Sequence, residues 1–170
     1  DILKKGGNAF DAMFATEMAL AVVYPYAGNL GGGGFMVYRL SDGETGALDY
    51  REKAPLASHK DMYLDDDGNV VKNMSSVGVH SVGVPGTIAG IFAAHKRFGT
   101  LPIKDLMQPV IELAQTGFEV TEKQHAKLEH YDSIMRVVNG KDILFTRNIK
   151  AYDTSKNSQL AETLKRIVDN

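Results

Sequence analysis

The stretch Gly28–Pro55, GNLGGGGFMVYRLSDGETGALDYREKAP, predicts a β-hairpin that follows a run of glycines and ends at an arginine. Two mostly apolar segments, Phe35–Leu40 and Ala47–Tyr50, predict strands that are covered on both faces. The residues between them, Ser41–Gly46, are typical of a short turn. Because consecutive glycines lose much chain entropy on ordering, we expect another backbone or a ligand to approach closely there. This stretch therefore predicts a central buried hairpin around which the fold is organised.

Helical patterns flank the hairpin on both sides. Asn8 is a good N-cap, and Asp11 in the first turn favours a helix over residues 9–23, whose residues are apolar nearly all round. Further helices are predicted from Thr87 to about Phe98, from Pro102 to Gly117 with a kink or new start at Pro109, from Thr121 to about Val138, and over Ser158–Val168. A chain of 170 residues suits one domain. We expect a mostly helical α+β fold that forms a single domain over residues 1–170.

Composition excludes several classes of protein. A net charge of −2 provides no broad basic surface for phosphates, which argues against nucleic-acid binding. The sequence contains no stretch of about 18 apolar residues, so no membrane span is predicted. The absence of cysteine excludes disulfides, thiolate catalysis and cysteine-ligated zinc. Since the first residues look like the end of a helix, we expect the chain to be part of a longer one.

The glycine run and the acidic turn do not match known ligand-binding motifs. Neither the Walker A spacing nor Gly-x-Gly-x-x-Gly occurs, and the glycines precede a strand instead of a helix N-terminus. The turn Asp65–Asn69 lacks calcium ligands, because Tyr63 and Met74 stand where an EF-hand loop needs oxygen donors. The histidines show no metal-binding spacing, and His95 is more consistent with a hydrogen-bonded core or boundary residue than with a metal ligand. We predict no metal site and no cofactor.

Arg51 is the one candidate binding residue that the residue pattern indicates. It follows the second predicted strand, so we expect its guanidinium at the rim of the sheet, where it could bind a carboxylate through two parallel hydrogen bonds. A structural ion pair, with Glu52 or with an acid elsewhere, is the alternative. On the residue pattern alone the ion pair is the favoured interpretation.

Several clusters of residues follow the order found in the large subunit of γ-glutamyltranspeptidases. They are Gly6-Gly7-Asn8-Ala9 with Asp11-Ala12, Gly28-Asn29 with Gly31–Phe35, Leu48–Glu52 with Ala54-Pro55, and Gly83 with Pro85-Gly86-Thr87 and Gly90. Phe98-Gly99-Thr100, Gln108-Pro109 and Ala114 with Gly117-Phe118 continue the series. The chain therefore resembles the N-terminal part of that large subunit, with a likeness that weakens after about Lys123.

The resemblance implies an N-terminal nucleophile hydrolase with an αββα sandwich. In that family one precursor cleaves itself into a large and a small subunit, and the new N-terminal threonine of the small subunit attacks γ-glutamyl amides such as glutathione. The family arginine that falls on Arg51 holds the α-carboxylate of the glutamyl donor. The implied partners are the small subunit and a γ-glutamyl substrate, and the implied location is the periplasm or the cell exterior. The glycine run would allow packing against backbone of the small subunit.

The sequence departs from the family pattern by lacking any match to the small subunit. Thr121 and Thr154 have no surroundings suited to a nucleophile, so we expect no catalytic residue within this chain and no activity from it in isolation. One alternative is a non-catalytic relative that keeps the fold as a binding or structural module. Another is a related acylase or capsule-processing transpeptidase that acts on a different amide.

Overall fold

The structure is a computed structural model that describes residues 1–28 and 30–169. Its helices are α1 (Ala9–Val23), α2 (Thr87–Phe98), α3 (Ile103–Thr116), α4 (Glu122–Asn139) and α5 (Ser158–Asp169). Its strands are β1 (Phe35–Arg39), β2 (Thr45–Asp49), β3 (Phe118–Glu119) and β4 (Thr154–Ser155), and short 3₁₀ helices occur at Leu3–Lys5, Val79–Ser81 and Leu144–Thr146. Antiparallel pairing joins β1 to β2 and β3 to β4. The fold is α+β, as predicted.

The described residues form two compact units. Residues 1–28 and 94–169 make up one unit and residues 30–93 the other, so the boundary falls within α2. The first unit contains most of the helices, and the second contains the β1–β2 hairpin together with the loops that follow it. The predicted single domain stays a prediction.

A three-helix cluster of α1, α3 and α5 forms the core of the first unit, with α3 packed against both of the others. Buried residues recur three and four positions apart along α1 and α3 and three apart in α5, and in α3 and α5 they form the apolar face of an amphipathic helix. The fully buried members include Phe14 and Met18 from α1, Leu106, Met107 and Ala114 from α3, and Ala161 and Leu164 from α5. The predicted helices are confirmed, and α3 runs through Pro109 as one helix.

The N-terminus of α1 is fixed by the predicted cap. The Asn8 side chain accepts hydrogen bonds from the backbone N–H groups of Phe10 and Asp11, at 2.8 and 3.0 Å. The Asp11 carboxylate in turn accepts the Asn8 N–H at 2.9 Å, which completes a capping box. Three N–H groups that a helix start would leave without partners are thereby satisfied.

Asp11 also joins α1 to the segment after α2. Its carboxylate is fully buried and accepts hydrogen bonds from the Thr100 N–H at 3.0 Å and the Thr100 hydroxyl at 2.5 Å. Burial acts to raise the pKa of Asp11, but the hydrogen bonds from Thr100, Asn8 and Leu101 outweigh it and lower the pKa below its ordinary value. Nearby, the half-buried His95 donates from Nε2 to the Leu101 carbonyl at 2.8 Å, which confirms it as a hydrogen-bonded boundary residue.

The predicted hairpin is confirmed in the second unit. β1 and β2 pair from Phe35 opposite Asp49 to Arg39 opposite Thr45. The Leu40 N–H donates to the Glu44 carbonyl at 2.7 Å, and Gly43 takes the positive φ of 94° that the turn needs. The strands lie within one or two residues of their predicted bounds.

The prediction that this hairpin is buried on both faces is wrong for this chain. Along both strands, exposed and half-buried residues alternate. Phe35 is 64% exposed and Val37 is 84% exposed, and both lie on the face that includes Asp49. The apolar composition of the strands predicts that both faces are buried, but no described residue of the chain covers this face. We call the face that carries Phe35, Val37, Ala47 and Asp49 the open face of the hairpin.

Candidate carboxylate-binding site

Arg51 lies just beyond the paired end of β2. The hairpin pairing continues to Tyr50, whose N–H donates to the Gly34 carbonyl at 3.0 Å and whose carbonyl accepts the Gly34 N–H at 3.3 Å. The Arg51 N–H then donates to Oδ1 of Asp49 at 3.0 Å, which holds the backbone in a local turn. Arg51 therefore emerges at the end of the sheet with its backbone fixed on both sides.

The Arg51 side chain is exposed and contacts an aromatic ring. Its Cζ lies 5.6 Å from the centroid of the Phe35 ring, within the range of a cation–π interaction. No residue within 1–28 or 30–169 places a carboxylate oxygen within 4.0 Å of the guanidinium, so the proposed ion pair with Glu52 is not formed there. The guanidinium can present its fork of N–H donors to a ligand.

Glycines Gly33, Gly86 and Gly90 surround the backbone next to Arg51, and we call them the glycine cradle. A Cβ at Gly33 would lie 2.6 Å from the Tyr50 carbonyl oxygen, and one at Gly86 would lie 2.0 Å from the same atom. A Cβ at Gly90 would lie 2.2 Å from the Tyr50 Cβ. The predicted close approach at the glycine run is thus to the chain's own segment that carries Arg51.

The start of α2 is tied to the same region. The N–H groups of Gly86 and Thr87 both donate to the Gly32 carbonyl, at 2.9 and 3.0 Å. An antiparallel bridge between Lys53 and Val84 adds two further backbone hydrogen bonds, of 3.1 and 2.8 Å. The segment around Arg51 is therefore held between the glycine run and the start of α2. The family clusters include these glycines, but no pattern in the sequence predicts a structural role for Gly86 and Gly90.

A second group of polar residues lines a groove of about 380 Å³ beside α4. There Arg136 donates to Asp132 at 2.8 Å and also to Asp142 and the Thr146 carbonyl. His125 donates from Nδ1 to a backbone carbonyl of the lining segment at 2.9 Å. These groups fasten the segment after α4 to the helix, so we interpret the groove as structural. The spacing of Asp132 and Arg136, four residues apart on a helix, is the sequence signal that was missed.

The acidic turn Asp65–Asn69 is exposed to solvent and is closed by one of its own carboxylates. Oδ1 of Asp65 accepts the backbone N–H groups of Asn69 at 2.8 Å and Asp67 at 3.1 Å. The hydrogen bond from Asn69 is the largest cause that lowers the pKa of the Asp65 carboxyl. The Asp65 carboxylate therefore serves to close the turn.

The described residues contain neither a metal-binding cluster nor a membrane-spanning helix. No three histidine, aspartate or glutamate side chains within residues 1–28 and 30–169 lie close enough together to hold a metal ion. In the same part of the chain, no helix is both long and apolar enough to cross a bilayer.

Comparison with known proteins gives a consistent result. Residues 1–170 match the family model described as gamma-glutamyltranspeptidase. A glutathione hydrolase proenzyme from Pseudomonas aeruginosa is 49% identical over 99% of this chain and 30% of its own length. The corresponding proenzyme from Escherichia coli is 42% identical over the whole chain and 30% of its own length. The crystal structure of Helicobacter pylori gamma-glutamyltranspeptidase superposes with a TM-score of 0.93 at 42% identity, over 99% of this chain and 49% of that one.

Proposed function

The chain belongs to the γ-glutamyltranspeptidase family, and from this premise we propose that it is the N-terminal part of the large subunit of a self-processing γ-glutamyltransferase or glutathione hydrolase. The chain spans about 30% of the length of the curated relatives named above, so the activity proposed is that of a longer protein. In this proposal residues 1–170 form part of an αββα sandwich and supply Arg51 to the substrate site.

The observation that supports this role is the state of Arg51. It is exposed, its backbone is held by the glycine cradle, and no acidic side chain among the described residues forms an ion pair with its guanidinium. A guanidinium in this state can bind the α-carboxylate of a γ-glutamyl donor through two parallel hydrogen bonds. Since both groups are charged, each hydrogen bond is shorter and stronger than one between neutral groups.

The chemical step is assigned to the small subunit. Its N-terminal threonine Oγ attacks the γ-carbonyl carbon, and the hydroxyl proton passes to the free α-amino group of the same residue. The C–N bond breaks, the leaving amine takes the proton, and an ester remains. Water or an amino acid then attacks that ester to release glutamate or a new γ-glutamyl compound.

The threonines of this chain do not fit the nucleophile's role. Thr121 caps α4, where its side chain accepts the Gln124 N–H and contacts Oε1 of Gln124 at 2.9 Å. Thr154 lies in the short strand β4. An N-terminal nucleophile needs a free α-amino group beside its hydroxyl, so the isolated chain is inactive in this proposal.

The partner in this proposal is the small subunit of the same precursor. The open face of the hairpin carries apolar residues and lies on the same side as Arg51, so a partner seated there would both bury Phe35 and Val37 and bring its nucleophile toward the bound substrate. By analogy with the family, the mature protein would act in the periplasm or outside the cell.

The test uses Arg51→Gln in the processed full-length protein. We expect the KM for a γ-glutamyl anilide to rise about 100-fold, which corresponds to about 3 kcal/mol of lost carboxylate binding. Arg51→Lys keeps the positive charge but loses the parallel N–H donors of the guanidinium. Its KM should therefore lie between those of the wild type and Arg51→Gln. Arg39→Gln is the matched control, because Arg39 is also exposed but lies at the other end of β1.

A donor that lacks the α-carboxylate separates binding from misfolding. Arg51→Gln should process this donor as well as the wild type does, because the lost partner is absent from the substrate. A wild-type KM for the γ-glutamyl anilide in Arg51→Gln would contradict the proposed role. Turnover of that anilide by the isolated 170-residue chain would contradict the assignment of the chemistry to the small subunit.

A further inference from the structure

We propose that Phe35 is a positioning residue for Arg51. Its ring holds the guanidinium at the end of the hairpin, in place to receive a substrate carboxylate. The inference rests on the proposed carboxylate-binding role of Arg51 and names a residue on which that role depends.

The strand register brings the two side chains together. Phe35 lies directly opposite Asp49 in the antiparallel pair, and Arg51 follows Asp49 by two residues. Asp49 lies on the same face as Phe35, and the hydrogen bond from the Arg51 N–H to Oδ1 of Asp49 keeps Arg51 at the end of that face. Diagonal neighbours on one face of a hairpin are within reach of aromatic and long side chains. The distance of 5.6 Å from the Arg51 Cζ to the ring centroid agrees with this placement.

Phe35 is held by its backbone and not by burial. Its strand is paired along its whole length, and the pair formed by Gly34 and Tyr50 extends the ladder beyond it. Its side chain is nevertheless 64% exposed. Within the part of the chain that the structure describes, the ring therefore buries little area, and its side chain lies against the Arg51 guanidinium.

The contact suits a guanidinium that must bind a carboxylate. The face of an aromatic ring attracts a cation without using any of its N–H donors, so all five donors of the guanidinium stay available. The ring also restricts the torsions of the long arginine side chain before the substrate arrives. Less conformational entropy is then lost on binding, which lowers KM.

The experiment compares variants of the processed full-length protein. Phe35→Leu keeps an apolar side chain but removes the ring, and Phe35→Tyr keeps the ring. We expect Phe35→Leu to raise the KM for a γ-glutamyl anilide by about two- to fivefold with kcat nearly unchanged. Phe35→Tyr, which keeps the ring, should have the wild-type KM. Val70→Ala is the control, since Val70 is also an apolar residue with an exposed side chain, 77% in water, but lies outside the hairpin and its open face.

Coupling with Arg51 distinguishes positioning from a structural role. In an Arg51→Gln background, Phe35→Leu should cause no further rise in KM, because the side chain that it positions is gone. A rise of the same size in both backgrounds would overturn the inference, as would a wild-type KM in Phe35→Leu alongside a raised KM in Arg51→Gln. A wild-type KM in Arg51→Gln itself would overturn the proposed function and this inference together.

Discussion

The three-helix cluster and the hairpin use apolar residues in opposite ways. Phe14 in α1 has no exposed surface, whereas Phe35 in β1 exposes most of its ring. The cluster of α1, α3 and α5 thus contains its own core, while the hairpin keeps an apolar face open beside Arg51. The difference separates the residues that hold the fold from the residues available for binding, although both sets look equally apolar in the sequence.

The largest expected difference between the two regions comes from the same substitution made in each. Phe14→Ala should lower the free energy of unfolding of the chain by about 3–5 kcal/mol, because it removes a fully buried ring and leaves a cavity. Phe35→Ala should lower it by less than about 1 kcal/mol, because most of that ring is already in water. Urea unfolding followed by circular dichroism at helix wavelengths measures both. Equal losses would contradict the distinction between the two regions.

The buried carboxylate of Asp11 should make the helical region sensitive to pH. Asp11→Asn is expected to cost about 2–3 kcal/mol near neutral pH, since the amide cannot accept all the hydrogen bonds that the carboxylate accepts. Because the pKa of Asp11 is lower in the folded chain than its ordinary value of 3.8, the ionised group's stabilisation is present above that value and is lost as the pH falls through the folded pKa.

The stability difference between wild type and Asp11→Asn should therefore narrow as the pH is lowered. Asp105→Asn is the matched control, because Asp105 occupies the same position in the first turn of α3 but is exposed. It should show a smaller loss of stability than Asp11→Asn at neutral pH. A gap between wild type and Asp11→Asn that stays constant down to pH 3 would contradict the role given to the ionised carboxylate.

A substitution in the glycine cradle should cause the smallest change in the free energy of unfolding. The sign of that change tests whether the cradle holds Tyr50. On helix propensity alone, Gly90→Ala would stabilise α2 by about 0.5–1 kcal/mol. The new Cβ would lie 2.2 Å from the Tyr50 Cβ, so we expect a net destabilisation of about 1–3 kcal/mol instead. Lys96→Ala, at an exposed position of the same helix, is the control and should be close to neutral. Stabilisation by Gly90→Ala would show that the cradle does not hold Tyr50.

Much of the fold could be predicted because its signals are local. The cap at Asn8, the end of α4 at Gly140 and the starts of α2 and α4 each follow from a residue whose backbone preference is strong. The continuity of α3 through Pro109 was not decided, because the structure surrounding a proline determines whether a helix tolerates it. The short pair β3–β4 was missed, since strands of two residues carry no period that a pattern could reveal.

Part of the candidate site could be predicted because its sequence signals are also local. Arg51 was found because a cation at a strand end is a local feature, and the family clusters singled out the same residue. Phe35 as its neighbour and Gly90 as part of the cradle depend on strand register and on contacts between distant segments, which no local pattern specifies. The exposure of the open face could not be predicted either, because burial depends on what covers a strand and not on the strand's own composition.

The proposed function depends on Arg51 binding the α-carboxylate of the substrate. A crystal structure of the processed full-length protein with glutamate bound would show which residues hold this carboxylate. We expect two N–H groups of the Arg51 guanidinium to lie about 2.7–2.9 Å from the two carboxylate oxygens, with the Phe35 ring still against the guanidinium. A glutamate whose α-carboxylate is held by other residues, with Arg51 paired to an acid of the protein, would contradict the claim.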